Sequence, residues 1–192
     1  MKKLIFLMGM FLFMFAGLSQ TQAQDKAAQK AAKKAEKAAK KAAEEAQQQA
    51  SFQQALQAIK DQAFVLEADR VIFKRGRSVF VSSNTNFISL DGTNAVVQVA
   101  FNGPYSGANG LGGITVEGNA TNVKMSTTKR GVTIFSMNVQ GIGISASITI
   151  QMPEGSNQAS VTINPNFSGN TLTLSGYILP IEQSSVFKGR SF

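Results

Sequence analysis

The chain has 192 residues and no cysteine, no histidine and no tryptophan, with only four prolines. Without His or Cys there can be no Ser-His-Asp triad, no thiol nucleophile, no haem thioether and no ordinary zinc site. Catalytic residues, metal ligands and cofactors are therefore all expected to be none. Without Cys there is also no disulfide to staple the fold and no residue to carry a lipoprotein's acyl chain. Acid is scarce as well: 11 Asp and Glu stand against 19 Lys and Arg, a formal charge of +8. The length suggests one globular domain with extras.

The start of the chain reads as an address. Met1-Lys2-Lys3 is basic, and an apolar or small run follows from Leu4 to Leu18. It is short of the ~20 residues a membrane span needs and suits the core of a signal peptide. Thr21-Gln22-Ala23 puts small residues where a signal peptidase reads, so cleavage is expected after Ala23. The alternative is an uncleaved anchor. The expected product is periplasmic, is not a lipoprotein and has no transmembrane span in its mature part. Lys2 and Lys3 leave with the signal, which lowers the charge from +8 to +6.

Residues 25–50, DKAAQKAAKKAEKAAKKAAEEAQQQA, are alanine and other strong helix formers without Gly or Pro. At 100° per residue the lysines from Lys26 to Lys41 fall on an arc of about 120°, with alanines opposite. An Ala face is too weak to insert into a membrane or to make a regular coiled coil, so an exposed semi-rigid spacer is expected. Ser51-Phe52-Gln53-Gln54 fits a capping box, and Phe52, Leu56 and Ile59 share one face after it. A break or bend near Gln48 to Ser51 is predicted, with a second short helix over 51–62 docking on the domain.

From Phe64 onward the period changes from 3.6 to 2. Ile144, Ala146, Ile148, Ile150 and Met152 alternate with Ser145, Ser147, Thr149 and Gln151. Such segments are half-buried antiparallel strands. The same pattern predicts strands at 64–74, 77–82, 86–91, 95–101, 114–118, 121–127, 132–139, 158–163 and 172–178. Turn signals separate them, among them Asp91-Gly92, Lys129-Arg130-Gly131 and Pro153 to Asn157. All four prolines fall at predicted strand ends. About ten short strands with frequent turns argue an up-and-down barrel or a sandwich. Phe64, Phe73, Phe80, Phe87, Phe101 and Phe135 are spread among the strands and are expected in the core.

Four segments carry a family resemblance: FVLEADRVIFKRG, NFISLDG, VVQVAFNGPYSGANGLGGITVEG and SVTINPNFSGNTLTLSGYILPIEQSSVFKGRSF. Together with the lead-in FQQALQAIKDQAF they closely resemble a family of exported Bacteroidetes proteins, domain of unknown function 4251. The resemblance implies a calycin or lipocalin-like β-barrel and a periplasmic setting. It implies no activity and transfers no catalytic residue.

Candidate sites remain. The Gly-rich segment 102–113 could close over a ligand at a barrel mouth, with Tyr105, Asn109 and Leu111 as contacts. It lacks the Gly-Lys-Ser/Thr of a phosphate-binding loop, and its plain reading is a wide connection. Glu67 and Asp69 point to one face of a strand but form a salt-bridged or solvated surface far more readily than a glycosidase pair. Lys74, Arg75 and Arg77, with Lys26, Lys30, Lys33 and Lys37 on the helix, are candidates for contact with an anionic envelope component. Lys129-Arg130 and Lys188-Gly189-Arg190 are further basic turns. Nucleic acid is not an expected partner, because no aromatic-interleaved basic strand is present.

The expected architecture is all-β: an antiparallel calycin/lipocalin-like barrel over 63–192, behind a signal peptide (1–23), an Ala/Lys-rich α-helix (24–50) and a docking segment (51–62). The expected role is non-enzymatic, the binding of a small apolar or amphipathic ligand by the barrel. The alternative is a structural or interaction module of the envelope with a filled barrel core and the basic helix as partner-binding element.

Overall fold

The computed structural model describes residues 4–100, 113–166 and 171–191, with side chains from Gln29 onward. Contacts divide the chain into two compact units, residues up to Gln47 and residues from Gln48. In the first, the helix α1 (Leu4–Lys60) carries an exposed residue at every position from Gln29 to Gln47. Its Lys-rich face gains one i,i+4 ion pair, Lys41 to Glu45 at 3.5 Å. Among the described residues no helix is long and apolar enough to cross a membrane.

The helix does not break where the capping box predicts. α1 is continuous to Lys60, so Ser51 is an interior helical residue and no separate short helix begins there. A capping serine needs non-helical dihedrals, and Ala50 and Gln53 on either side have no reason to leave the helix. Burial changes at this point instead. Phe52, Ala55, Ala58 and Ile59, spaced along one face, join the core of the second unit.

That unit is a closed antiparallel barrel of eight strands: β1 (Ala63–Phe73), β3 (Phe87–Asp91), β4 (Asn94–Ala100), β5 (Gly113–Thr127), β6 (Thr133–Gly141), β7 (Ile144–Met152), β8 (Gln158–Pro165) and β9 (Leu172–Pro180). Each strand pairs with the next, and β9 returns to β1 from Phe64↔Pro180 to Phe73↔Leu172. The short β2 (Ser78–Phe80) lies on β1 through Arg70 to Ile72, beyond the stretch that β3 occupies. Closure leaves no sheet edge along β9. The segments expected at 114–118 and 121–127 are one strand, β5, with a bulge between Thr121 and Lys124 where Asn122 takes φ 52°. The extra residue of a bulge breaks strict alternation and so reads as a strand end in the sequence.

The period-two pattern is realised as inside against outside. Leu66, Ile88, Val97, Val116, Met137, Ile148, Val161 and Leu174 are buried in one interior cluster. Phe64 and Phe135 meet edge to face there, with ring centroids 5.5 Å apart. Phe87 is buried on the other side of the wall, with Val65 and Val96. Phe80 overturns its expected core placement, being 81% exposed. It pairs across the ladder with Arg70, whose guanidinium stands 4.9 Å from the ring centroid, so the ring lies on the outer face.

Val65, Phe87 and Val96 are buried although they point outward, because the chain beyond β9 lies over them. Ile181 and Val186 pack on this outer patch. Gln98, fully buried, fastens the segment: its Nε2 donates to the carbonyls of Thr85 (2.9 Å) and Phe187 (2.8 Å). Its Oε1 accepts from Thr115 Oγ1 (2.7 Å) and the Gly189 N–H (2.8 Å). Every polar valence of this amide is used, as burial demands.

Candidate functional site

The alternation of strand directions sorts the barrel's ends. The end of β1, the start of β3, the end of β4 and the starts of β5 and β9 lie at one mouth, opposite the end where α1 hands over to β1. The β1–β2 turn stands on this mouth. The Phe73 N–H donates to the Arg77 carbonyl and the Gly76 N–H to the Phe73 carbonyl, both at 2.8 Å. The turn therefore needs a left-handed residue at its fourth position, and Gly76 supplies it at φ 80°. Lys74, Arg75 and Arg77 are thus held on a tight loop in place of a flexible tail.

These three cations line a cavity of about 1530 Å³. Its apolar wall comes from Phe73, Val79, Val81 and Leu172, the ladder partner of Phe73, on one side and from Val99 and Ile114 on the other. Val99 and Ile114 are ladder partners, and Ile114 remains 45% exposed because it faces the opening. The lower barrel is filled, with Phe64, Leu66, Leu90, Met137, Ile148 and Ile150 among its fully buried side chains. The space accordingly lies at the mouth and does not run down the axis.

The acids are elsewhere. Glu67 Oε1 accepts from Ser184 Oγ (2.8 Å) and the Ser185 N–H (3.2 Å), so it anchors the C-terminal segment on the outer wall. Asp69 sits at the β1 bulge, where its carbonyl accepts from the Val81 N–H at 2.9 Å. Glu117 pairs with Lys188 at 2.7 Å. Hydrogen bonds from Lys188 and Ser191, helped by the Lys188 charge and opposed by burial, hold its carboxyl below the usual carboxylate range. No acidic residue is among the described residues lining the cavity. Among the described residues no group of three or more His, Cys, Asp or Glu side chains is placed to hold a metal ion.

The residues singled out in the sequence divide accordingly. Lys74, Arg75 and Arg77 come together at the mouth. Lys30, Lys33 and Lys37 lie exposed on α1, and the side chain of Lys26 lies outside the described residues. So do Tyr105, Asn109 and Leu111, with the whole stretch 101–112. The Glu67/Asp69 pair meets no cavity wall, and Lys188 belongs to the outer strap. Sequence reasoning missed the apolar half of the mouth. Ile114 and Leu172 sit at strand starts and Val79 in a strand of three residues, where alternation cannot tell a core position from a rim position.

Residues 46–178 match the family described as Domain of unknown function (DUF4251). A comparison with curated proteins finds no match. Among solved structures, the chain is similar to a DUF4251 family protein from Bacteroides eggerthii DSM 20697, at 51% identity and a TM-score of 0.65. The likeness covers 77% of this chain and 99% of that one. With a family match across the barrel and a half-identical relative of solved structure, this chain belongs to the DUF4251 family.

Proposed function

We propose that this protein is an exported, non-enzymatic binding protein that takes a small apolar or amphipathic molecule at the open mouth of its barrel. The observation that carries the reading is the mouth cavity, large and lined by both apolar and cationic side chains. Small-molecule sites are concave, mostly apolar and supplied with a few polar groups, and occupy ~300–1,000 Å³. This one exceeds that range because it includes the open rim. The carboxylates nearest in sequence, Glu67 and Asp69, do not line it, which supports binding without hydrolysis. Export rests on the basic start, the 4–18 apolar run and the small residues before Ala23.

The filled lower barrel favours a second reading, a structural module of the envelope whose partner contacts lie on the basic helix. Native mass spectrometry of the protein drawn from the periplasm separates the two and tests export in the same spectrum. The expected result is a chain beginning at Gln24 that carries a small non-covalent adduct, lost when the Phe73, Val79 and Ile114 wall is made polar. An adduct-free chain that takes up no amphiphile when offered one would sink the binding reading. A chain retaining residues 1–23 would sink the cleavage after Ala23 in favour of an uncleaved anchor, and absence of the protein from the periplasm would sink the export assignment.

A further inference from the structure

The exposed part of α1 carries charge that the fold does not use. From Gln29 to Gln47 every residue is exposed, and none of them joins the core. Lys30, Lys33, Lys34, Lys37, Lys40 and Lys41 share the arc of about 120° that the helical period sets. Among the described residues, only Lys41 of these six makes an ion pair, with Glu45. Few acids stand near the stripe: Glu36 falls about 40° outside the arc, and Glu44 and Glu45 come after its last lysine. Like charges three and four residues apart repel, so the stripe costs helix stability until an anionic surface relieves it.

The six lysines lie within ~16 Å of helix at 1.5 Å per residue. Their flexible stems let those at the edge of the arc reach the same plane as those at its centre. A single small anion meets only near neighbours, whereas an extended planar surface meets the whole row. An acidic polymer that wraps a helix gains from cations on all sides; here they occupy one side, which suits a plane. Alanine is the only apolar residue type from 29 to 50, so the contact is with head groups and not with acyl chains. The stripe also follows closely on the expected cleavage site at Ala23, so it leaves the signal beside a bilayer.

Resting on the export reading above, and not on what the mouth takes, we infer that the α1 stripe docks the protein peripherally on a bilayer rich in anionic phospholipid. Lys30, Lys33, Lys34, Lys37 and Lys40 hold the anionic head groups by charge alone. Each cation brought to such a surface tightens adsorption about fivefold, and the attraction decays within ~8 Å at physiological salt. Docking is therefore reversible and salt-labile.

Co-sedimentation of chain 24–192 with vesicles tests this, comparing phosphatidylcholine alone with phosphatidylcholine mixed with phosphatidylglycerol at low and at physiological salt. The expected result is at least about tenfold tighter binding to the anionic vesicles, falling as salt rises. A Lys30→Gln/Lys33→Gln/Lys34→Gln/Lys37→Gln/Lys40→Gln variant is expected to lose that preference. Its helical ellipticity and thermal midpoint stay, because Gln is a comparable helix former. An Arg75→Gln/Arg77→Gln variant keeps the preference. Equal binding to both vesicle types, no binding to either, or a preference unmoved by the five lysine substitutions would overturn the inference. Loss of the preference in the arginine variant would move the docking surface to the mouth turn. Tighter binding to soluble polygalacturonate than to the vesicles, charge for charge, would overturn the bilayer in favour of an acidic polymer. All of these outcomes leave export and the mouth's ligand as they stand, since the mass spectrum reads both.

Discussion

At the scale of single residues, the outer wall of the barrel is held by a few polar side chains whose partners are distant in sequence. Gln98 reaches Phe187 and Gly189, Glu67 reaches Ser184 and Ser185, and Glu117 reaches Lys188. Buried amides and paired carboxylates of this kind are destabilising when one partner is lost. The lowered pKa of Glu117 makes its contribution pH-dependent. The folded state binds the proton less readily than the unfolded chain, so stability rises with pH across the interval between the two values. The contribution is fully present above the ordinary carboxylate range and is lost as the pH falls through the lowered folded-state value. Glu117→Gln is expected to flatten the acid limb of a midpoint-against-pH curve in urea titrations from neutral pH downward. An unchanged limb would mean that the Lys188 pair contributes nothing. None of this is legible in the sequence, because nothing local to Gln98 or Glu117 says that residues 181–191 return over them.

Elements show a sharper division between local and tertiary control. The helix between Gln29 and Ala50 follows from composition alone, since alanine with Lys, Glu and Gln loses little side-chain freedom in a helix. The residues that tie α1 to the barrel are Phe52, Ala55, Ala58 and Ile59, and the expected face of Phe52 and Ile59 is the one that is buried. Removing residues 24–47 is therefore expected to leave the thermal midpoint of the barrel within a few degrees, whereas Ile59→Ala costs ~2–4 kcal/mol. Differential scanning calorimetry of the two variants makes the comparison, and a large loss on truncation would show that the exposed helix is not a mere spacer. The period-two strands were legible for the same reason as the helix: burial on one side imposes alternation. The bulge in β5 and the exposed Phe80 were not. One extra residue resets the phase, and a three-residue strand has no room for a pattern.

For the whole molecule, the decisive event is the closure of β9 on β1. At Gly176 a Cβ would lie 1.9 Å from the Glu67 carbonyl oxygen and 2.7 Å from the Ala68 Cα, so the two backbones meet with no space for a side chain. Gly176 faces the interior opposite Ala68, next to the bulge that lets β1 bend. Gly176→Ala is expected to cost about 3 kcal/mol, the upper end of overpacking penalties, because backbone and not a flexible side chain is in the way. Chemical denaturation measures it, and a loss below ~1 kcal/mol would show that the seam can shift to admit a methyl group. In the sequence Gly176 was one more member of an alternating strand. Its role became visible only when the two ends of the sheet were brought together.

The sequence by itself determined that no thiol or imidazole side chain is available, and it determined the helical lead-in, the strands and most of their inward faces. These are consequences of composition and period, which act over a few residues. Only the tertiary structure decided the rest: that the sheet closes into an eight-stranded barrel, that its lower part is filled, and that the last residues lie across the outer wall. The cavity belongs to this second group. Its cations were conspicuous in the sequence as a basic turn, but Val99, Ile114 and Leu172 of its apolar wall come from strands far from that turn in the chain. Which strand ends share a mouth is set by closure and strand direction, and neither is written in any single segment.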